Sequence, residues 1–361
     1  MENINALHAF EFKGKPVSCQ EFGKGRINST FMINTDVGKA YVLQLINKRV
    51  FKDPVKLMEN ASRVTNHLLE RTDGRYTTLR YMQTKTGTYC HQDEQGEYWR
   101  MYEFVPGIGL DAPDSDEDLY QCALAFGWFQ NLLADFPADS LHETIPCFHN
   151  TIDRYQKLKE SIAADVMGRA ASVREEIDYL LSREEIAGTI QRKLDAGELP
   201  LRVTHNDTKL NNVLLDPVTH QSVCVLDLDT VLPGSSLYDY GDSVRFGAAN
   251  GGEDAEDSSL VSLNLHLFEV YTKGYLEAVT SLTEKEIDLL PVGALVITLE
   301  LATRFLKDYL DGDVYFKIKE PHHNLLRARN QIALAQDMER KMTDMKTIVE
   351  SLRRTLVKCS I

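Results

Sequence analysis

The first hundred residues contain short runs in which apolar and polar positions alternate, which is the pattern of strands with one buried face. Runs of this kind lie at 17–22, 29–35, 39–46 and 98–105. After the third run, Asp53 and Pro54 precede apolar residues at helical spacing, and this predicts a helix over 53–69. The N-terminal part of the chain is therefore predicted to be a small β-sheet with one helix.

Beyond Pro106 and Gly107 the pattern changes to long stretches with apolar residues every three or four positions, which is typical of amphipathic helices. These stretches lie at 119–136, 152–166, 173–194, 260–278, 284–310 and 330–356. We expect Pro291 to interrupt the fifth of them. The sequence thus predicts an α+β protein with an antiparallel-sheet lobe over 1–105 and a mainly helical lobe over 106–361.

Composition narrows the possible partners. The 361 residues include 54 acidic and 40 basic side chains, and a chain with a formal net charge of −14 repels nucleic acid. The six cysteines form no C-x-x-C pair, which favours reduced thiols in the cytoplasm over disulfides or a thiolate zinc site.

The N-terminus lacks the basic and apolar segments of a secretory signal. The longest uncharged stretch, 289–299, is much shorter than a membrane helix of ~20 residues, so no membrane span is expected.

One short segment and the strand after it carry the residues that most clearly indicate a function. They hold His205, Asp207 and Asn212 at the spacing H-x-D-x-x-x-x-N, followed by Asp227 and Asp229. Phosphoryl transfer from ATP needs a carboxylate near the attacking hydroxyl, and an amide oxygen with a second carboxylate to hold Mg²⁺ against the phosphates. The spacing is the catalytic-loop pattern of kinases, with a second aspartate in the place of the metal-binding one.

The local structure predicted here brings these side chains together. Residues 212–216 and 222–229 are predicted to form two antiparallel strands joined by a tight turn. A hairpin of this length brings its outer ends together, so Asn212 and Asp227 are expected to converge, with Asp207 close by in the preceding loop. The alternative is that polar residues only cap a surface hairpin, and three matches in register argue against it.

The order of a strand-rich lobe, a hinge and a helical lobe resembles the protein-kinase-like enzymes. Within them the chain resembles the aminoglycoside phosphotransferase-like family, and most of all its bacterial N-acetylhexosamine 1-kinases. The segments that carry the closer match are THNDTKLNNVL (204–214), CVLDLDTV (224–231), LYDYGDSVRFG (237–247), TRFLKDYLDGD (303–313) and HNLLRARNQ (323–331). The resemblance implies a two-lobed kinase fold that binds ATP and Mg²⁺ and phosphorylates a small-molecule alcohol.

The kinase pattern assigns roles to the polar residues of the loop and the hairpin. Asp207 is the candidate catalytic base that takes the proton of the attacking hydroxyl. Asn212 and Asp227 are candidate Mg²⁺ ligands. Asp229 is either a further metal ligand or the partner of a basic residue. His205 is expected to hydrogen-bond to the backbone and hold the loop rather than to transfer a proton.

The nucleotide is expected to bind between the N-terminal sheet and this loop. A glycine-containing turn after the first strand lets the backbone approach phosphates. The residues assigned to the nucleotide there are Gly23, Gly25, Asn28 and Thr30. Glu103 and Val105 stand where a hinge offers backbone hydrogen bonds to adenine, although an ordinary strand between lobes reads almost the same. Val17, Ile33 and Leu43 are candidates for the apolar contacts to the base.

One position departs from the usual kinase pattern. The third strand normally supplies a lysine to the α- and β-phosphates, and here Gln44 stands in its place. Gln44 is expected to hydrogen-bond to Glu59 on the following helix and to donate to phosphate without a charge. The positive charge must then come from Mg²⁺, from backbone amides, or from Lys24 and Arg26. Loss of activity is not implied, because the resembled sugar kinases also lack a conventional lysine here.

The resemblance places the sugar near Asp207, Asp242, Arg245, Phe246, Arg304 and Tyr315. Carboxylate and guanidinium groups suit sugar hydroxyls, and an aromatic ring suits a pyranose face or an acetamido methyl. The alternative for Asp242 and Arg245 is a mutual ion pair that fixes their loop. A ligand role is favoured for Arg304, because an arginine in an otherwise apolar helix needs a partner.

These features together predict a cytoplasmic, ATP- and Mg²⁺-dependent kinase that phosphorylates the anomeric hydroxyl of an N-acetylhexosamine in the salvage of sugars from glycans. The alternative is a kinase of the same family that acts on another small alcohol, such as an aminoglycoside, choline, homoserine or a different hexose. A third possibility is a nucleotide-binding pseudokinase, which Gln44 supports and the intact Asp207, Asn212 and Asp227 oppose. The preferred sugar and the oligomeric state are left open.

Overall fold

A computed structural model of the chain describes residues 5–23, 27–72, 74 and 76–359. Five antiparallel strands form its N-terminal sheet: β1 (Pro16–Glu21), β2 (Ser29–Thr35), β3 (Ala40–Ile46), β4 (His91–Gln92) and β5 (Tyr98–Glu103). Their order across the sheet is β1-β2-β3-β5-β4. The four strands predicted from alternation are confirmed, and β4 was missed because two residues are too few to show alternation.

The two faces of this sheet have different surroundings. One face packs on the segment before β1, where Ile33, Leu43 and Met101 form a small core with residues of that segment. The other face carries Gln44, which is opposite Thr30 on β2 and opposite Arg100 on β5. The polar face therefore presents one aligned row of side chains that crosses three strands.

Helix α1 (Pro54–Leu69) follows β3 and confirms the predicted helix. It begins as the sequence predicts, because Asp53 accepts a hydrogen bond from the Lys56 amide at 3.1 Å and Pro54 occupies the first turn. Its buried side chains, including Leu57 and Val64, belong to the large core that α1 shares with the helical part of the protein. The helix thus packs the N-terminal part of the chain onto the C-terminal part.

The C-terminal part is built from helices and short strand pairs. The helices are α2 (Asp116–Leu132), α3 (Thr151–Ala164), α4 (Arg174–Leu181), α5 (Glu184–Ala187), α6 (Thr189–Asp195), α7 (Ser236–Gly247), α8 (Leu265–Ala278), α9 (Glu284–Leu310) and α10 (His323–Cys359). The predicted α+β class, with an antiparallel sheet first and helices after it, is confirmed. The division of the chain into two domains after residue 105 stays a prediction.

Three antiparallel strand pairs connect these helices. They are β6 (Arg202–Thr204) with β9 (Leu232–Gly234), β7 (Val213–Leu215) with β8 (Ser222–Val225), and β10 (Ala249–Asn250) with β11 (Ser262–Leu263). The β7–β8 pair is the predicted hairpin, and it is confirmed with shorter strands. The strands of the other two pairs are only two or three residues long and come from distant segments. Their sequences therefore show no alternation that would predict a strand.

Several predicted helices differ in their ends. The stretch 173–194 forms three helices rather than one, because the chain turns at Ser182 and again at Gly188. Helix α8 begins at Leu265 behind the N-cap Asn264, later than predicted. Helix α9 runs unbroken through Pro291, so the expected interruption is wrong. Pro291 removes one backbone hydrogen bond, and the burial of the residues around it outweighs that loss.

Helix α7 was not predicted, although its sequence was singled out. Nearly every residue of α7 is buried, so the helix has no polar face whose period could be read from the sequence. Two glycines let it cross α9 in backbone contact. A Cβ added to Gly241 would lie 2.5 Å from the Gly293 carbonyl oxygen, and one added to Gly293 would lie 2.7 Å from the Leu237 carbonyl oxygen. No side chain fits between the two helices at this point.

Helix α9 is long and apolar enough to meet the length and composition criteria of a membrane-spanning segment. Its most apolar stretch is 83 % buried inside the protein. The helix lies in contact with α3, α7 and α10, so packing in the core accounts for its apolar composition.

The α7–α9 crossing predicts a large effect from one methyl group. Gly241→Ala should lower the free energy of unfolding by about 1–3 kcal/mol, because the new Cβ meets backbone atoms that cannot rotate away. Denaturant unfolding followed by circular dichroism measures this change. Gly252→Ala is the matched control, since nothing lies within 4 Å of a Cβ at Gly252. Equal stability of the two variants would contradict the close crossing.

Candidate active site

The loop between β6 and β7, the predicted catalytic loop, is held by His205, whose ring makes T-shaped contacts with Phe126 and Phe129 of α2. Its Nε2 lies 2.7 Å from the Leu226 carbonyl oxygen, and its Nδ1 lies 3.3 Å from the Asp207 amide nitrogen. A neutral ring with its proton on Nε2 satisfies both contacts, because a carbonyl accepts and an amide donates. His205 thus ties the loop to the residue after β8, as expected of a structural histidine.

A buried carboxylate of α7 fixes the start of the same loop. Asp239 accepts hydrogen bonds from the backbone amides of His205 and Asn206 and from the side chain of Gln130, each at 2.8 Å. Burial raises the pKa of Asp239, and the hydrogen bonds from the two backbone amides oppose that rise. Asn206 has a left-handed backbone (φ 64°), so these bonds hold a turn that most side chains avoid.

Both carboxylate oxygens of Asp207 have partners. The Asn212 side chain donates to the Asp207 carbonyl at 2.8 Å and to Oδ2 at 3.2 Å, and Lys209 Nζ lies 2.7 Å from Oδ1. Burial alone would lower the pKa of Lys209, but the Asp207 carboxylate outweighs it and raises the pKa. The Asp207 side chain is 27 % exposed, so an alcohol can reach a carboxylate whose orientation is already set.

The β7–β8 hairpin brings Asn212 and Asp227 together, as the sequence predicts. Val213 pairs with Val225, and the Leu226 amide donates to the Asn212 carbonyl at 2.7 Å. The strand ends at Val225, and two residues later the backbone of Asp227 is left-handed (φ 57°). The backbones of Asn212 and Asp227, the two predicted metal ligands, therefore lie next to each other.

Negative charge accumulates around Asp227. Surrounding protein atoms and the carboxylates of Asp229 and Asp207 raise the pKa of Asp227 to about 6, while Arg100 acts in the opposite direction. Asp227 is nevertheless an exposed residue. A carboxylate in this position favours a bound cation, which would remove the repulsion that raises its pKa.

The oxygen donors at this point fit Mg²⁺. The Asn212 amide nitrogen donates to Asp207, which leaves the Asn212 Oδ1 for a cation, and the Asp227 carboxylate is a second hard oxygen donor. In the part of the chain that the structure describes, no three His, Cys, Asp or Glu side chains form a metal-binding group. A cation here would need further oxygens from nucleotide phosphates and water, which is how kinases hold Mg²⁺. Metal binding by Asn212 and Asp227 stays a prediction.

Asp229, the third carboxylate, is paired with an arginine of the N-terminal sheet. Arg100 donates through Nη1 and Nη2 to the two Asp229 oxygens, and the Nη2–Oδ2 distance is 3.0 Å. Asn28 donates to the same Oδ2 at 2.8 Å. The side chains of Arg100 and Asp229 are each 3 % exposed. The structure thus gives Asp229 the basic partner that was one of its two alternatives, and metal binding by Asp229 stays a prediction.

Gln44 connects Arg100 to the rest of the sheet. Its Oε1 accepts from Arg100 Nε at 2.8 Å, and its Nε2 donates to Thr30 Oγ1 at 3.0 Å. The expected hydrogen bond between Gln44 and Glu59 is wrong, because Glu59 is paired with His142 at 2.6 Å. The charge that is missing from β3 is therefore present one strand away, on Arg100.

The remaining residues assigned to the nucleotide lie at the ends of the strands. Gly23 has a left-handed backbone (φ 78°) and no atom within 4 Å of an added Cβ, so a phosphate could approach it closely. Glu103 ends β5 opposite Tyr41, and Val105 follows it in the chain. The nucleotide contacts of Gly23, Glu103 and Val105 stay predictions. Three residues of the glycine turn lie outside the described part of the chain: Lys24, Gly25 and Arg26.

One expected set of adenine contacts is wrong. Ile33 and Leu43 are buried in the small core on the other face of the sheet, whereas the contact of Val17, which is largely exposed, stays a prediction. Because successive side chains of a strand point to opposite faces, Leu43 cannot share a face with Gln44. Val42 lies on the same face as Gln44 and is buried. The alternation of side chains along the strand, counted from Gln44, would have predicted Val42 rather than Leu43 on the nucleotide-facing side.

Asp242 and Arg245 of α7 form the ion pair that was the alternative to a role in sugar binding. Arg245 donates to Asp242 Oδ1 from Nη2 at 2.7 Å and from Nε at 3.2 Å. The other Asp242 oxygen accepts from the Thr208 amide at 3.2 Å. Burial alone would raise the pKa of Asp242, but Arg245 and Lys209 keep it below its usual value. The pair braces the catalytic loop, and its contact with a sugar stays a prediction.

Phe246 places an aromatic ring beside the catalytic loop. Lys209 Nζ lies 5.6 Å from the ring centre, and the guanidinium carbon of Arg245 lies 4.2 Å from it. Cation–π attraction holds the ring between the two charges. Since Lys209 also touches Asp207, an aromatic surface and the candidate base share one neighbour. A sugar contact of Phe246 stays a prediction.

Arg304 of α9 lies among three aromatic rings. Its guanidinium carbon is 5.5 Å from the ring centres of Phe148 and Phe316 and 6.0 Å from that of Tyr315. Its hydrogen bond to Glu300 is long, at 3.5 Å, and Tyr315 is 69 % exposed. Cation–π contacts therefore hold a guanidinium that retains donors for another group. Sugar contacts of Arg304 and Tyr315 stay predictions.

A fully buried acid anchors this aromatic cluster. His149 Nδ1 lies 3.0 and 3.1 Å from the two carboxylate oxygens of Glu300. Burial alone would raise the pKa of Glu300, but His149, Arg304 and Arg154 hold it below its usual value. The His149 ring also lies 5.4 Å from that of Tyr238 on α7. The cluster around Arg304 is thus connected to the helix that braces the catalytic loop.

Four residues of this site were missed from the sequence: Arg100, Lys209, Asp239 and Glu300. Lys209 lies two positions after Asp207, and Asp239 lies within a segment that the resemblance had singled out. Glu300 stands in the apolar stretch of α9, where a lone acid needs a partner, so this signal could have been used. Arg100 gave no local signal, because its partner Asp229 is 129 residues away.

Comparisons with known proteins agree with this geometry. A family model, described as a phosphotransferase enzyme family, matches residues 18–263. The matched range contains the catalytic loop, the β7–β8 hairpin, α7 and most of the N-terminal sheet.

Solved structures agree over almost the whole chain. An aminoglycoside phosphotransferase from Alicyclobacillus acidocaldarius has a TM-score of 0.62 at 15 % identity, over 98 % of this chain and 95 % of that chain. A microcompartment-associated aminopropanol kinase has a TM-score of 0.64 at 15 % identity, over 95 % and 97 %. An amicoumacin kinase in complex with AMP-PNP and Ca²⁺ has a TM-score of 0.60 at 12 % identity, over 91 % and 92 %. Similarity at this identity concerns the fold, and the predicted two-lobed kinase fold is confirmed.

The charge around Asp227 predicts an unusual titration. In metal-free protein its carboxyl should be neutral below and ionised above a midpoint of about 6. Asp207→Asn should lower that midpoint, because it removes one of the negative charges that raise the pKa. Carbon NMR of aspartate carboxyls over a pH series measures both, with Asp227→Asn identifying the signal. A midpoint near the ordinary ~3.9 of aspartate would contradict the crowding of charge described here.

Proposed function

The chain belongs to the phosphotransferase enzyme family, and on that premise we propose that it transfers the γ-phosphoryl group of ATP to the anomeric hydroxyl of an N-acetylhexosamine. The product is the 1-phosphate of N-acetylglucosamine or N-acetylgalactosamine, made in the cytoplasm in the salvage of sugars from glycans. The observation that carries the proposal is the convergence of an oriented Asp207 with the oxygen donors of Asn212 and Asp227.

Asp207 accepts the proton of the attacking hydroxyl. Asn212 and Lys209 hold its two oxygens at 3.2 and 2.7 Å, so the carboxylate meets the substrate in one orientation. Because phosphoryl transfer has a loose transition state, alignment of the hydroxyl with the phosphorus contributes more than the basicity of the carboxylate. His205 and Asp239 hold the backbone on which that alignment depends.

Asn212 Oδ1 and the Asp227 carboxylate are the groups that would hold Mg²⁺, which supplies charge neutralisation at the nucleotide phosphates when bound. Lys209 stands beside the base and has ammonium protons left for the oxygens of the transferred phosphoryl group. The face of the N-terminal sheet that carries Thr30 and Gln44 closes the other side of the nucleotide site.

The charges near the acceptor favour a neutral sugar over a cationic alcohol. Lys209 touches the base, and Arg304 lies in the aromatic cluster with donors to spare. Two carboxylates of this region, Glu300 and Asp242, are buried and already paired, and Glu253 pairs with Arg245. An ammonium group needs a carboxylate that is not committed elsewhere. Hydroxyl and acetamido oxygens accept from a guanidinium, and a sugar ring stacks on aromatic side chains.

The role of Asp207 predicts a selective loss of turnover. Asp207→Asn should lower kcat by about 10²–10⁴-fold, because the amide cannot accept the hydroxyl proton. The affinity for a non-hydrolysable ATP analogue should stay close to that of the wild type. ADP release and calorimetry measure the two quantities. Asp344→Asn, an exposed aspartate of α10, is the control and should behave as the wild type. A folded Asp207→Asn protein with near-normal turnover would rule Asp207 out as the base.

The acceptor class is tested by ADP release over a panel of free sugars and amino alcohols. The panel contains both N-acetylhexosamines, unacetylated hexoses, choline, homoserine and an aminoglycoside. The N-acetylhexosamines should give the highest kcat/KM, and phosphorus NMR should find the phosphate on the anomeric carbon. Transfer to another carbon, or a preference for an amino alcohol, would defeat the sugar 1-kinase proposal and leave a kinase with a different acceptor.

Two arginine variants sharpen this assay. Arg304→Met should raise the KM of the preferred sugar about tenfold or more and leave the KM of ATP unchanged, because a charged hydrogen bond to the acceptor is lost. Arg183→Met is the control. Arg183 also stacks on an aromatic ring, that of Tyr179 at 4.2 Å, but it pairs with Glu339 away from the catalytic loop.

A further inference from the structure

A row of polar side chains crosses the N-terminal sheet and ends at residues 227–229 after β8, the metal-site turn. Thr30, Gln44 and Arg100 are direct neighbours across β2, β3 and β5. Arg100 donates to Asp229 on one side and to Gln44 on the other, and Gln44 in turn donates to Thr30. Asp229 lies two positions after Asp227. The sheet that closes over the nucleotide is therefore joined directly to the turn that would hold the cation.

The identity of Gln44 follows from the arginine beside it. Side chains directly opposite in antiparallel strands have Cβ atoms about 4.5–5.5 Å apart, and like charges at that distance repel. A lysine at this position would face Arg100, with Asp229 as a shared carboxylate. An amide accepts from the arginine with its oxygen and donates to Thr30 with its nitrogen. The presence of Arg100 on the neighbouring strand therefore explains why position 44 carries an uncharged amide and not a lysine.

We propose that Arg100 is a positioning residue that supplies the positive charge absent from β3 and sets the distance between the nucleotide-binding sheet and the metal-site turn through Asp229. The inference rests on the proposed kinase function. Asn28 adds a second link from the same part of the chain, because it donates to Asp229 Oδ2 at 2.8 Å. With Asp229 committed to Arg100, the neighbouring Asp227 is the carboxylate left for the cation.

Stability alone does not account for this pair. Removing two charges from water costs free energy that their attraction only partly returns, so a buried ion pair is a poor device for stability by itself. Arg100 and Asp229 are each 3 % exposed. They come from opposite halves of the fold, 129 residues apart. A buried pair between these two parts of the fold fixes their relative position, and we assign it this positioning role.

The test uses nucleotide binding without any acceptor, so it does not depend on which alcohol is phosphorylated. Arg100→Met removes the charge and keeps a side chain of similar length. Its Kd for a non-hydrolysable ATP analogue with Mg²⁺ should rise about 10–100-fold, and the Mg²⁺ concentration for half-maximal binding should rise with it, as expected when a group that orients a metal ligand is lost. Calorimetry at a series of Mg²⁺ concentrations measures both.

Two further variants distinguish positioning from stability. Arg202→Met breaks another buried pair, with Glu286 at 2.6 Å between β6 and α9, and should lower Tm while leaving both binding constants unchanged. Gln44→Lys added to Arg100→Met returns a positive charge to the row from β3. It should recover a large part of the lost affinity.

The outcomes separate the inference from the function on which it rests. Wild-type affinity in a folded Arg100→Met protein overturns the positioning role, and so does a double variant that folds but binds no better. If Arg100→Met does not fold, Arg100→Lys takes its place, because it keeps the charge and loses the two-pronged contact; it should bind several-fold more weakly, and wild-type binding would overturn the role. A wild-type protein that does not bind the analogue at all would instead overturn the proposed function.

Discussion

Repulsion among three carboxylates is the constraint that organises the centre of this protein. Asp207, Asp227 and Asp229 lie close enough for the other two to raise the pKa of Asp227. Asp207 is balanced by Lys209 from its own loop, and Asp229 by Arg100 from the N-terminal sheet. Among the described residues, Asp227 has no ion pair of its own. The structure thus pairs two of the charges with basic side chains, and the third belongs to the predicted metal ligand.

Sequence patterns predicted those parts of the site that depend on neighbours in the chain. The spacing from Asp207 to Asn212 lies within one loop, and the approach of Asn212 to Asp227 follows from a hairpin with a short turn. Helix α1 was predicted from its cap and its apolar period, both local properties. Local geometry of this kind leaves few alternatives, because a strand and a turn of given length determine where the chain returns.

The parts that were missed depend on contacts between distant segments. The Arg100–Asp229 pair spans 129 residues, and nothing near either residue identifies the other. The buried helix α7 has no polar face, so its sequence shows no helical period of apolar and polar residues from which the helix could be predicted. The wrong adenine contacts were of another kind. Leu43 and Gln44 are adjacent in one strand and must face opposite sides, so this error was avoidable from the sequence.

The backbone contact between α7 and α9 constrains how acceptor preference can change. Helix α7 carries Asp239, which holds the catalytic loop, and α9 carries Arg304, which is a predicted sugar ligand. With glycines at the crossing there is no layer of side chains to repack, so neither helix can slide over the other. A new acceptor preference would therefore have to come from exchanging side chains around the two helices, such as Phe148. It would not come from a shift of one helix against the other.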